Sequence, residues 1–183
     1  MLLEYYKKTV ETNCYFCSSK NGAKLKKVIK YAVLLILLSL ICTGHTCKAI
    51  NIEVTGNWSE TINAARLQAG AGSDLIDTYE SAVDVAYIDI SATTGSWSID
   101  IRKVDTNWHA NFHLYVRRTS DGNGSGSISG GSSYQEITDT DQSFFGGNRA
   151  RSYVDLQLRL TGVSIQVPPD IYTTTVYYTV IEN

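Results

Sequence analysis

Apolar and polar residues alternate with a period of two through most of the chain beyond residue 49. Ile50, Ile52, Val54, Gly56 and Trp58 alternate with Asn51, Glu53, Thr55 and Asn57, which puts the two sets on opposite faces of an extended strand. The pattern returns at Ala86, Ile88 and Ile90, at Trp97, Ile99 and Ile101, and at Phe112, Leu114 and Val116. It returns again at Val154, Leu156, Leu158 and Leu160, then at Val163, Ile165 and Val167, and finally from Tyr172 to Ile181. Each segment predicts a strand with one face in a core and the other in water. About seven or eight strands follow, at the spacing of an all-β antiparallel sandwich.

Two stretches, Glu60 to Ala69 and Asp74 to Val83, carry some helical character, but Gly70-Ala71-Gly72-Ser73 separates them into short pieces. They are expected to be crossing loops. Ser120 to Gly131 reads SDGNGSGSISGG, a composition that predicts a flexible surface loop with almost nothing to bury. Pro168-Pro169-Asp170-Ile171 interrupts the last alternating segment and sets Tyr172 at the head of the final strand, much as the tyrosine corner does in immunoglobulin-type folds. The predicted fold is therefore an immunoglobulin-like β-sandwich.

The first 49 residues have a different character. Tyr31 to Thr43 is an uncharged apolar run, preceded by Lys20, Lys24, Lys26, Lys27 and Lys30 and followed by Thr46-Cys47-Lys48-Ala49. This is the layout of a helical secretory signal peptide with a long basic n-region. The run falls short of the roughly 20 apolar residues that cross a bilayer, so the membrane is expected to be touched only through this segment. Cleavage after Ala49 divides the chain into a leader, 1–49, and a single domain, 50–183. The expected location is secreted, periplasmic or at the cell surface.

Charge and cysteine content sharpen the picture once the chain is divided. From Ile50 onward there are eight basic and sixteen acidic side chains, a formal charge of −8, against −2 for the whole sequence. Such a surface repels phosphate backbones and argues against nucleic-acid binding. All four cysteines, Cys14, Cys17, Cys42 and Cys47, lie in the leader. The body is expected to be free of disulfides, of thiol chemistry and of cysteine-bound metal.

Few residues in the body suggest chemistry. His109 and His113 are four apart, a spacing that suits a metal on a helix but separates two ligands by about 13 Å on a strand. Asp121, Asn123, Ser125 and Gly126 copy the first half of a calcium loop, yet Ser132 stands where the closing glutamate belongs. No serine has a glycine on both flanks in the G-x-S-x-G manner, and acid pairs such as Asp84 with Asp89 or Asp139 with Asp141 are ordinary in so acidic a chain. The expectation is a protein that is not an enzyme and carries no cofactor and no metal. Trp58 and Trp97 fall on apolar phases, leaving Trp108 with Tyr115 as a candidate aromatic platform for a surface glycan.

The export signal, the alternating first strand with a central glycine, and a last strand entered by Pro-Pro-Asp-Ile-Tyr and continued as TTTVYYTVI resemble bacterial fimbrial subunits and the spore coat protein U group. That resemblance implies an incomplete sandwich finished by a neighbour's N-terminal strand. It would assign the donated strand to Ile50, Ile52, Val54, Gly56 and Trp58, with the same protein as partner in an oligomer or filament. An ordinary first strand has the same alternation, and self-insertion is the simpler expectation. The functional expectation is a structural or adhesive cell-surface protein that assembles through strand exchange, with a carbohydrate-binding module as the alternative.

Overall fold

The computed structural model describes residues 2–5 and 49–183. The export signal and the cysteines lie outside the described residues. The described strands are β1 (Leu2–Tyr5), β2 (Asn51–Gly56), β3 (Trp58–Ser59), β4 (Tyr79–Glu80), β5 (Ala86–Ser91) and β6 (Ser96–Asn107). They continue with β7 (His113–Arg118), β8 (Ile128–Gly130), β9 (Gln135–Glu136), β10 (Gln142–Asn148), β11 (Arg151–Thr161) and β12 (Thr173–Glu182).

These strands form an all-β sandwich. One sheet has the order β3-β1-β12-β6-β10-β8, the other β2-β5-β11-β7-β9, with β4 pairing to β11 beside them. All pairings are antiparallel except β1 on β12, which is parallel. From β5 onward the chain changes sheet at each step between long strands, so β11 and β12 lie in different sheets. An immunoglobulin domain instead keeps its last two strands side by side. The likeness to that fold is one of two packed sheets rather than of strand order.

The alternation read from sequence becomes the core. Ile88, Ile99, Ile101, Leu114, Val116, Val154, Leu156, Leu158 and Leu160 are fully buried, each from the apolar phase of its strand. Burying one such side chain contributes roughly 1.5–3 kcal/mol, and the domain holds together without covalent links by repeating that gain across two facing sheets. The longest ladder, β12 against β6, runs from Thr173↔Asn107 to Glu182↔Trp97. It forms the spine of the first sheet.

Local departures from strict alternation have visible causes. A bulge between Ser143 and Phe145 on β10 lets consecutive Phe144 and Phe145 both turn inward, at 5% and 3% exposure. The Glu60–Ala69 stretch stays a loop apart from a single 3-10 turn at Ala64–Arg66, which Asn63 caps by accepting from Ala65 N at 2.9 Å.

Val163, Ile165 and Val167, predicted as a strand, form a loop. Val163 enters the core at 4% exposure, Ile165 is 59% exposed, and Val167 N closes a turn on Ser164 O at 3.1 Å. The side chain of Asp74 accepts from Ile165 N at 2.8 Å, so this backbone is satisfied by a carboxylate instead of a neighbouring strand.

Candidate functional site

The edge of the first sheet at the start of β12 is assembled from three distant pieces of chain. Its base is Tyr172, whose hydroxyl donates to Pro168 O at 2.7 Å, the back-bond of a tyrosine corner. Tyr172 also packs edge-on against Phe112 with ring centroids 5.0 Å apart. The corner fixes where β12 begins, and Thr174 anchors the next step by donating to Val104 O at 3.1 Å across the ladder. On the far side of β12 lies β1. Leu2, Leu3, Glu4 and Tyr5 run parallel to Thr173, Thr174, Thr175 and Val176.

The outer neighbour of β1 is β3, in the register Leu2↔Ser59 and Leu3↔Trp58. Strands in a sheet lie 4.7–4.9 Å apart, so β3 stands two spacings, about 10 Å, from β12. The space between them is one strand wide. Residues 2–5, remote in sequence from both strands, fill it.

The residues read as a donated strand divide between the two sheets. Ile52, Val54 and Gly56 pair with Ile90, Ile88 and Ala86 of β5, within the chain's own second sheet. Ile50 and Ile52 are 2% and 3% exposed. At Gly56 the backbone has φ +134°, and a Cβ there would collide with the backbone of Val85 and Ala86, so this residue must be glycine where the chain leaves the sheet. Trp58, 6% exposed, belongs to β3 in the other sheet and faces β1.

The candidate glycan residues are not brought together. Trp108 packs at the core margin, its Nε1 donating to Phe112 O at 3.0 Å, with the Phe112 ring edge-on at 5.5 Å and Lys103 Nζ 5.3 Å from its centroid. Tyr115 lies on β7 between Arg159 and Glu136 in register. No ring contact joins the two among the described residues.

The histidines likewise go separate ways, although a turn does form between them, with Phe112 N donating to His109 O at 3.0 Å. His109 packs against Phe112 and Tyr172, while His113 Nδ1 meets Glu136 Oε1 at 2.6 Å. Among the described residues no group of three or more His, Cys, Asp or Glu side chains is placed to share a metal.

The glycine- and serine-rich segment 120–131 differs from its predicted flexibility. Its residues Ile128–Gly130 form β8 against β10, and Asn123 bridges to Ser152. A buried guanidinium organises it. Arg151, 8% exposed, donates to the carbonyl oxygens of Asp121 and Gly126. Arg118 donates to the Asp121 carboxylate, to Ser120 O at 2.9 Å and to Gly130 O at 3.1 Å. Arg118 thus occupies the Asp121 carboxylate, the first oxygen ligand of the calcium-loop pattern. Gly124, at φ +142°, would bring a Cβ to 2.6 Å from Ala150 O. Glycine here serves close backbone approach.

No family model, no curated protein and no solved structure matches this chain.

Proposed function

We propose that residues 50–183 are a non-enzymatic structural or adhesive domain of the cell surface, which assembles by accepting a strand along Thr173–Val176 of β12. The observation that carries this reading is the seat of β1: four residues from beyond the export signal complete a place between β12 and β3. Cleavage after Ala49 takes that strand away with the leader. The remaining edge then offers unpaired N–H and C=O groups, a template for another extended segment. Before export the leader's own strand caps the edge and keeps chains from associating; after export the vacated seat engages a second copy or a surface partner.

The proposed role is that of acceptor and not the donor role that the resemblance would assign to Ile50 to Trp58, since β2 is paired within its own sheet, in line with the simpler expectation of self-insertion. The resemblance to fimbrial subunits and the spore coat protein U group supports the same kind of assembly, with the open place on a different strand.

The test is association state. Residues 50–183 should form dimers or larger species in light scattering as concentration rises, whereas the full chain in detergent should stay monomeric. A synthetic peptide of residues 1–6 should return the short form to a monomer. Residues 50–183 remaining monomeric at every concentration, and indifferent to the peptide, would overturn the reading.

A further inference from the structure

Beside the tyrosine corner, between the loops at residues 60–67 and 163–170, lies a cleft of about 490 Å³. That volume is within the range of small-molecule sites, about 300–1,000 Å³. Its walls are mainly apolar: Ile62, Leu67, Leu75, Phe112, Val167 and Tyr172 all line it. The Tyr172 hydroxyl is already engaged by Pro168 O, so within the cleft this residue acts through its ring. Ile165, 59% exposed, borders the cleft, and Ile171, 70% exposed, stands next to Tyr172 in the chain.

The cleft is held open by bonds that do not depend on a ligand. Asp74 fastens the 163–170 loop by accepting from Ile165 N at 2.8 Å and from Ser164 Oγ at 3.1 Å. These backbone and hydroxyl donors, the Ile165 amide first, hold the Asp74 carboxyl below the usual range. Two adjacent prolines, Pro168 and Pro169, restrict the backbone on the same side. A preformed cleft loses little ordering entropy on binding.

The charges in the lining of the cleft are of one sign. The charged residues lining it are Glu60 and Asp170, both acidic. Glu60 is paired with Arg66 at 2.8 Å. Asp170 is held only by neutral donors, Asn107 Nδ2 at 3.2 Å and Ile171 N at 2.7 Å, and Asp74 likewise only by Ile165 N, Leu75 N and Ser164 Oγ. Among the described residues no basic side chain pairs with either. His109 meets the Tyr172 ring edge-on, with centroids 6.1 Å apart, beside the aromatic wall.

We infer that this cleft is a binding site for a small cationic amphiphile, an amine carried on an apolar or aromatic body. The body lies against Phe112, Tyr172 and the aliphatic wall, and the ammonium faces the Asp170 side of the mouth. An anionic ligand of the same shape is disfavoured by Asp170 and Asp74 and by the net charge of the domain. The inference does not depend on strand assembly, because the residues of β12 that pair with β1, Thr173–Val176, are not among those lining the cleft, although Tyr172 borders both.

The probes are 3-phenylpropylamine, 3-phenylpropanol and 3-phenylpropionate, titrated into the full chain in detergent at pH about 8. Binding is read by NMR shifts of the Phe112 and Tyr172 rings. The amine should bind more tightly than the alcohol by roughly two- to fivefold, the scale of an exposed ion pair, and the carboxylate most weakly. Salt at about 1 M should narrow the gap. Asp170→Asn should bring the amine close to the alcohol with the alcohol's affinity unchanged. Ala64→Trp, which fills the cleft from an exposed position, should weaken all three while the remaining spectrum keeps its dispersion. A carboxylate that binds as tightly as the amine, or ring shifts absent with every probe, would overturn the inference.

Discussion

The two edges of the first sheet are closed in opposite ways. At one edge, β8 is a three-residue strand supplied by the neighbouring loop and held by two arginines and by glycines that let backbones touch. At the other, β12 is covered by Leu2–Tyr5 and then β3, pieces that reach it from far along the chain. The local edge is a permanent part of the domain. The remote one depends on a four-residue segment far away in sequence, and under the proposed function processing uncovers the edge that this segment covers. Net pairing energy per hydrogen bond is small, about 1 kcal/mol, so a four-residue strand can be lost without unfolding the sandwich.

The contrast can be broken most forcefully at the local edge. Arg151→Met leaves the Asp121 and Gly126 carbonyls without their charged donor and should cost about 2–4 kcal/mol in urea denaturation, with residues 120–131 losing order. A change under about 1 kcal/mol would mean the guanidinium is not what organises the loop. Gly124→Ala should follow at about 1–3 kcal/mol, because the added methyl meets Ala150 O in a left-handed backbone. Thermal melts of the two variants in parallel separate the effects.

Deleting residues 1–5 from the full chain is a gentler change, expected to cost about 1–2 kcal/mol while leaving the core cooperative. A collapse of the melt would show that β1 is structural rather than a removable cap.

The smallest effects are those of pH, and they have opposite signs at two carboxylates. Burial, and then the neighbouring Asp141, push the Asp100 carboxyl up. Between its unfolded and folded values the native state holds more protons, so stability falls as pH rises through that window and stays lower above it. Asp100→Asn should remove that fall and be slightly more stable than the parent at pH 7. Asp74 is shifted down by its backbone donors; its contribution is present above the ordinary aspartate value and is lost as pH drops through the folded one. Melting curves from pH 3 to 7 for Asp100→Asn and Asp74→Asn should diverge in opposite directions.

Period-two patterning was enough to read the core, since Ile88, Ile99, Leu114 and Leu156 are buried wherever alternation put them on the apolar phase. Tyr172 was legible too, because a tyrosine after Pro-Pro-Asp at a strand start makes a short-range bond. Strand order was not, since alternation says which face is buried and nothing about which strand lies beside it. The loop at 120–131 misled for a similar reason. Glycine and serine have the same composition in a loose linker and in a tightly apposed backbone, and the side chain that decides between them, Arg151, is some distance further along.

The pairing of β1 with β12 was invisible because LLEY in residues 2–5 shows no alternation, and it precedes the segment that looked disposable. The cleft was missed because Val163, Ile165 and Val167 mimic a strand. Asp74, remote in sequence, is what holds them as a loop.

The most direct test of the β12 edge is hydrogen exchange at the backbone amides of Thr173–Val176, compared between the full chain and residues 50–183. Those amides should be protected in the full chain, exchange at least tenfold faster in dilute residues 50–183, and regain protection when a peptide of residues 1–6 is added, while the β8 amides stay the same throughout. Equal protection in both forms, or no response to the peptide, would contradict the claim that a removable strand closes this edge.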